Sequence, residues 1–61
     1  MTNAEIEAVA RGICKHLGMD ADEQISWQGE AWLACGPRWK SMRGDAVLAI
    51  AAHQAIKDAG L

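Results

Sequence analysis

The large aromatic side chains of this chain all lie between residues 27 and 39: Trp27, Trp32 and Trp39, with no Phe or Tyr anywhere. The bulkiest side chains are confined to one central stretch, so a core must bring the two flanking arms against it. Those arms carry little bulk of their own, with five Ile, four Leu, two Val and three Met set among many alanines. Hydrophobic residues make up 51% of the 61 positions, which excludes a disordered acidic tail. A chain this short nevertheless hides a smaller share of its surface than a larger domain does. Small domains compensate with disulfides, a metal, oligomerisation or dense packing. The expectation is a single domain over 1–61 that self-associates, as a two-fold homodimer in the simplest case.

The first arm reads as a helix over residues 3–17. Thr2 and Glu5 have capping-box spacing, which satisfies orphan amides at a helix start. Apolar residues then recur at Ile6, Val9, Ala10, Ile13, Cys14 and Leu17, the three-and-four spacing of one helical face. Glu5 and Glu7 sit near the positive end of the helix dipole, Lys15 and His16 near the negative end. Gly18 accepts the left-handed backbone that usually ends a helix, with Met19 folding back on the last turn.

The middle admits two readings. The preferred one is a loop carrying Trp27, then a short helical turn from Glu30 to Cys35 that Gly36-Pro37 ends. Asp20 and Asp22 are placed to cap a turn in the acidic linker. Ile25 and Trp27 alternate, however, and a small hairpin over 24–33 with Gln28-Gly29 as its turn would make the protein α+β. A hairpin is marginal unless it packs on something. From Pro37 onward the chain is helix-forming, because Pro is favoured at a first helical position. An irregularity is expected at Gly44, with Asp45 capping a fresh start and Gly60 ending an Ala-rich helix near 45–59. On a helical wheel Leu48 and Ile50 point in nearly opposite directions and Ile56 points to another side. A helix apolar around so much of its circumference is usually covered on more than one side. A second copy of the chain would cover what the first helix leaves open.

Net charge is −2, too mild to name a partner. It is unevenly placed: residues 1–30 carry six acids and two bases, giving −4, while residues 31–61 carry four bases and two acids, giving +2. Such halves attract each other, within one chain or across a dimer. The start Met1-Thr2-Asn3-Ala4-Glu5 has neither a basic cluster nor a long apolar run, and no stretch approaches the roughly 20 apolar residues of a membrane span. A cytoplasmic protein with reduced Cys14 and Cys35 is expected.

Three stretches taken together resemble a known pattern. They are Val9-Ala10-Arg11-Gly12-Ile13-Cys14 leading to Gly18, the acidic linker running into Trp27, and Pro37-Arg38-Trp39-Lys40-Ser41-Met42 followed by Ala49-Ile50-Ala51-Ala52-His53. In this order the chain resembles a group of small proteins of temperate phages and prophages in proteobacteria. The resemblance implies a phage accessory role and carries over no catalytic residue.

Candidate sites are few. Trp27 and Trp39 read as core, while an exposed Trp would be the natural anchor of a binding surface. Arg38, Trp39, Lys40 and Arg43 surround an aromatic with cations and suit an acidic protein patch, with Trp32 seven residues from Trp39. The same patch would serve a nucleic-acid partner, although three cations in an acidic protein make a weak footprint. Cys14, His16, Cys35 and His53 lack the paired spacing of a structural zinc site. Ser26, Ser41, Cys14 and Cys35 have no recognisable base and orienter, so no catalytic residue, metal or cofactor is expected. The fold expected is all-α: two main helices joined by a Trp-rich segment and dimerised through the last helix. The expected function is non-enzymatic binding and modulation of another protein, a host factor or defence component, through Trp32, Arg38, Trp39, Lys40 and Arg43. The alternatives are a nucleic-acid module using the Arg38–Arg43 patch, or an oligomer holding a small anionic ligand such as a nucleotide near Gly44-Asp45.

Overall fold

Helix α1 (Asn3–His16) forms where the apolar spacing places it. The computed structural model describes residues 1–29 and 32–61. The capping box is complete: the Thr2 hydroxyl accepts from the Glu5 N–H at 3.1 Å, and the Thr2 N–H donates to Glu5 Oε1 at 3.2 Å. Two orphan donors are thereby satisfied before the helix has buried anything. At the other end Gly18 takes φ +73°, and the Met19 N–H donates to the Cys14 carbonyl at 2.8 Å, a Schellman-type stop. Ile6, Ala10 and Cys14 are buried. Leu17, the last of the apolar series, is exposed instead, because it is the cap residue and has left the helical face.

The middle is a sheet, which corrects the all-α expectation to α+β. Strand β1 (Gln24–Gln28) pairs antiparallel with β2 (Leu33–Pro37), with Ile25 opposite Gly36 and Trp27 opposite Ala34. The helical turn expected over Glu30 to Cys35 does not form: Leu33, Ala34 and Cys35 lie in β2, while Glu30 and Ala31 fall outside the described residues. The hairpin reading had the first strand right and the second too early, since it placed the second strand at 30–33. Alternation explains the sheet's two faces. Ile25, Trp27, Ala34 and Gly36 are half-buried, and Gln24, Ser26, Gln28, Leu33 and Cys35 point outward.

Pro37 fits a strand here for a reason of hydrogen-bond parity. The Gly29 N–H donates to the Trp32 carbonyl at 2.9 Å, and the Arg38 N–H donates to the Glu23 carbonyl at 2.8 Å. Opposed pairs alternate between bonded and non-bonded along an antiparallel ladder. The pair Gln24–Pro37 is therefore a non-bonded one, and the N–H that proline lacks is not needed. Gly36, at φ +153°, lies in a region that residues with a Cβ rarely adopt, and the Trp27 ring and the Lys40 stem close over it.

A short helix α2 (Arg38–Ser41) leads through Met42 into α3 (Arg43–Asp58). The break expected at Gly44 falls at Met42, and Asp45 sits in the first turn of α3 rather than capping it. Helix α2 has no side-chain cap. Its first amides are met by the acidic linker instead, with the Trp39 N–H donating to the Ala21 carbonyl at 3.1 Å. The Asp22 N–H donates to Asp20 Oδ1 at 3.0 Å, holding the linker in a turn beneath α2.

Helix α1 packs on α3 through Ile6, Ala10 and Ala46, with Val9, Ile13, Trp39, Met42 and Ile50 around them. The alanines let the helices approach closely, but they hide little area. The hairpin meets α2 and, among the described residues, neither α1 nor α3. It projects as an arm, and the molecule measures 40 × 27 × 18 Å.

Candidate functional site

The ring of Trp39 is the centre of the sequence-predicted set. Packed half-buried against the α1–α3 core, it has the Arg11 guanidinium 5.6 Å and the Lys40 ammonium 5.8 Å from its centroid. Both lie within cation–π reach. Arg11 is itself fixed by Glu7 at 2.8 Å and Asp22 at 2.8 Å. These hydrogen bonds, Glu7 first and Asp22 second, raise the Arg11 pKa above its ordinary value. Sequence reasoning did not connect Arg11 with Trp39. The available signal was its place on α1 beside Ala10, one position off the buried stripe.

Arg38 is turned away from any partner surface. Its Nη2 donates to Glu23 Oε1 at 3.1 Å, its Nη1 lies 3.6 Å from the Met19 sulfur, and its Nε is buried without a hydrogen-bond partner among the described residues. This pair realises within one chain the attraction expected between the acidic first half and the basic second half. The Ser41 hydroxyl donates to the Arg38 carbonyl at 2.6 Å and is committed there. Arg43 is exposed and borders a shallow cleft with Asn3, Ala4, Glu7 and Trp39. The basic patch thus keeps Lys40 and Arg43 facing solvent, with Arg11 and Arg38 neutralised by Glu7, Asp22 and Glu23.

Trp32 does not join that set. It lies at the far end of the hairpin, five residues and roughly 16 Å of extended chain from Pro37. It is 73% exposed and its neighbour Leu33 is 67% exposed, so the arm ends in two bulky apolar side chains in water. A second apolar feature is the cleft between α1 and α3, lined by Ala8, Val9, Ala49 and Ile50 with Glu5 and His53 beside them. The third is the outer side of α3, where Leu48 is 70% and Ile56 50% exposed.

Cys14 is buried on α1 and Cys35 is exposed on β2. Among the described residues no three His, Cys, Asp or Glu side chains gather as metal ligands. No helix described is long and apolar enough to cross a membrane. Against known proteins, no family model, no curated protein and no solved structure matches the chain. The fold and surface define a class, a small αββαα domain with an apolar-tipped arm, and the surface alone speaks to function.

Proposed function

We propose that this chain is a non-enzymatic accessory protein that acts as a small homo-oligomer and binds another protein through the tip of its hairpin. The observation that carries this reading is an excess of surface. The chain exposes 4517 Å², whereas a compact monomer of its 6.6 kDa mass exposes about 3,900 Å². Its radius of gyration is 12.9 Å, against about 10.5 Å for a compact domain of this length. Among the places where that surface is apolar are the outer side of α3 and the arm tip. Self-association covers the first.

The tip supplies the partner contact. Trp32 and Leu33 are the kind of bulky side chains that anchor interfaces, and their position on a projecting arm leaves them free to enter a pocket. Lys40 and Arg43 lie at the other end of the arm, away from the tip, where their charge assists encounter with an acidic partner without facing the pocket that takes Trp32. Arg38 and Trp39 serve the fold in this reading, which narrows the five-residue surface expected from the sequence. The setting, a temperate phage or prophage, rests on the sequence motifs.

The test combines sedimentation with a tagged pull-down from host lysate. The wild type sediments above the mass of one chain at micromolar concentration and recovers a specific protein. Trp32→Ala keeps the oligomer and loses that protein. A rigid single subunit at every concentration, or equal recovery by Trp32→Ala, overturns the reading.

A further inference from the structure

Strand β1 has an edge that its own ladder does not use. Opposed pairs alternate along the hairpin, and the bonded ones are fixed at its two ends by Gly29–Trp32 and Glu23–Arg38. The bonded pairs between them are therefore Ile25–Gly36 and Trp27–Ala34. The N–H and C=O groups of Gln24, Ser26 and Gln28 point away from β2, and among the described residues no third strand meets them. The opposite edge is closed. Its outward groups belong to Leu33, Cys35 and Pro37, and Pro37 has no N–H to give. Proline or charge is how a strand edge is ordinarily guarded against pairing, and β1, Gln-Ile-Ser-Trp-Gln, carries neither. We infer that β1 pairs edge to edge with β1 of a second copy, antiparallel about a two-fold axis through Ser26, so that two hairpins make one four-stranded sheet. This contact goes beyond the reading above, because neither the outer side of α3 nor the tip takes part in it.

The residues on that edge select a second copy as its occupant. Gln24, Ser26 and Gln28 read the same in both directions, so an axis through Ser26 sets Gln24 of each copy opposite Gln28 of the other. Every outward-facing residue of both strands then falls in a bonded pair, which exchanges two N–H···O bonds. A slip of one residue would set outward groups against inward ones and bond none of them. The same register places Ile25 of each copy opposite Trp27 of the other on the half-buried face, an aromatic against a β-branched side chain. No like charges meet across the pairing. The hairpin also gains what it lacks alone. Two strands are marginal in water, and among the described residues this pair packs only on α2. A four-stranded sheet with a continuous apolar face is past that limit.

The test uses full-length chains. Ser26→Cys is made together with Cys35→Ser, which leaves only the buried Cys14 besides the new thiol, and the protein is oxidised at micromolar concentration. At the axis the two residues 26 have Cα atoms about 5.5 Å apart, within disulfide reach. In the wild type the two Cys35 residues lie on the outermost strands, about 14 Å apart across three strand spacings, and out of reach. The expected result is a 26–26 crosslink in the variant and no 35–35 crosslink in the wild type. Ser26→Lys changes an exposed side chain, sets two ammonium groups face to face, and should raise the dissociation constant about tenfold with unchanged circular dichroism. Mixing it with Ser26→Glu copies should restore association. A 35–35 crosslink without a 26–26 one overturns the choice of edge. Association that Ser26→Lys leaves unchanged, with no 26–26 crosslink, overturns the β1 pairing and leaves the oligomer through α3 standing. A monomer at all concentrations overturns both.

Discussion

Arg38 and Glu23 are joined twice, once by main chain at 2.8 Å and once by side chains at 3.1 Å. The main-chain bond continues the β1–β2 ladder one rung past the strands, and the ion pair lies over that rung. Together they fasten the root of the arm to the start of α2. The guanidinium also covers Met19, which brings in the residue that closes α1.

Removing the two partners should therefore have unequal effects. Glu23→Ala, at the more exposed side chain, is expected to cost less than ~1 kcal/mol, as surface ion pairs do. Arg38→Ala also loses packing on Met19 and is expected to cost about 1–2 kcal/mol. Urea midpoints at one fixed protein concentration check this, a condition that holds any self-association constant between variants. Equal losses from both variants would show that Arg38 acts through its charge alone.

Thr2→Ala removes the hydroxyl that caps α1 and is expected to destabilise the fold by about 1 kcal/mol. Glu5→Gln keeps the reciprocal bond to the Thr2 amide and should stay near wild type. Thermal melts followed at 222 nm separate the two. A Thr2→Ala melt that overlays the wild type would mean the first turn frays in solution.

Ala10 is fully buried where α1 meets α3. Ala10→Leu should push the helices apart and cost about 1–3 kcal/mol, despite adding apolar area. Ala8→Leu, exposed on the same helix, should stay within roughly 0.5 kcal/mol of wild type. A stabilised Ala10→Leu protein would show that the α1–α3 contact is looser than described.

A Cβ at Gly36 would meet Lys40 and Trp27 at 3.7 and 3.8 Å, ordinary van der Waals contact, so crowding is not the obstacle to Gly36→Ala. The backbone is. Holding alanine at φ +153° is expected to cost about 1–3 kcal/mol. Amide exchange should show the loss in β1 and β2 first, with α1 protection retained. Uniform loss across the chain would mean that the hairpin and the helices unfold as one unit.

The parts of the fold that depend on neighbours three or four residues away were legible. Thr2 and Glu5 announced the start of α1, Gly18 announced its stop, and the alanine-rich run announced α3 to within two residues at its start and one at its end. Ile25 and Trp27 signalled the alternation of β1. Strand β2 was hidden because Leu33 points outward and the inward positions are Ala34 and Gly36, so its apolar pattern is inverted. Gly36-Pro37 looked like punctuation, and only the parity of the ladder shows why proline is harmless there. Of the candidate residues, Trp39 and Lys40 lie together, joined by Arg11, which the sequence did not connect to them, and Trp32 lies apart.

What the sequence determined alone is local: where α1 starts and stops, the extent of the Ala-rich α3 to within two residues, and which helix faces are apolar. Tertiary structure decided which cations remain free. Glu23 reaches Arg38 only because the hairpin register returns the chain to within one rung after fifteen residues, and no short-range pattern encodes that closure. The same register sends Trp32 outward on an arm while Trp39, seven residues later, turns into the core.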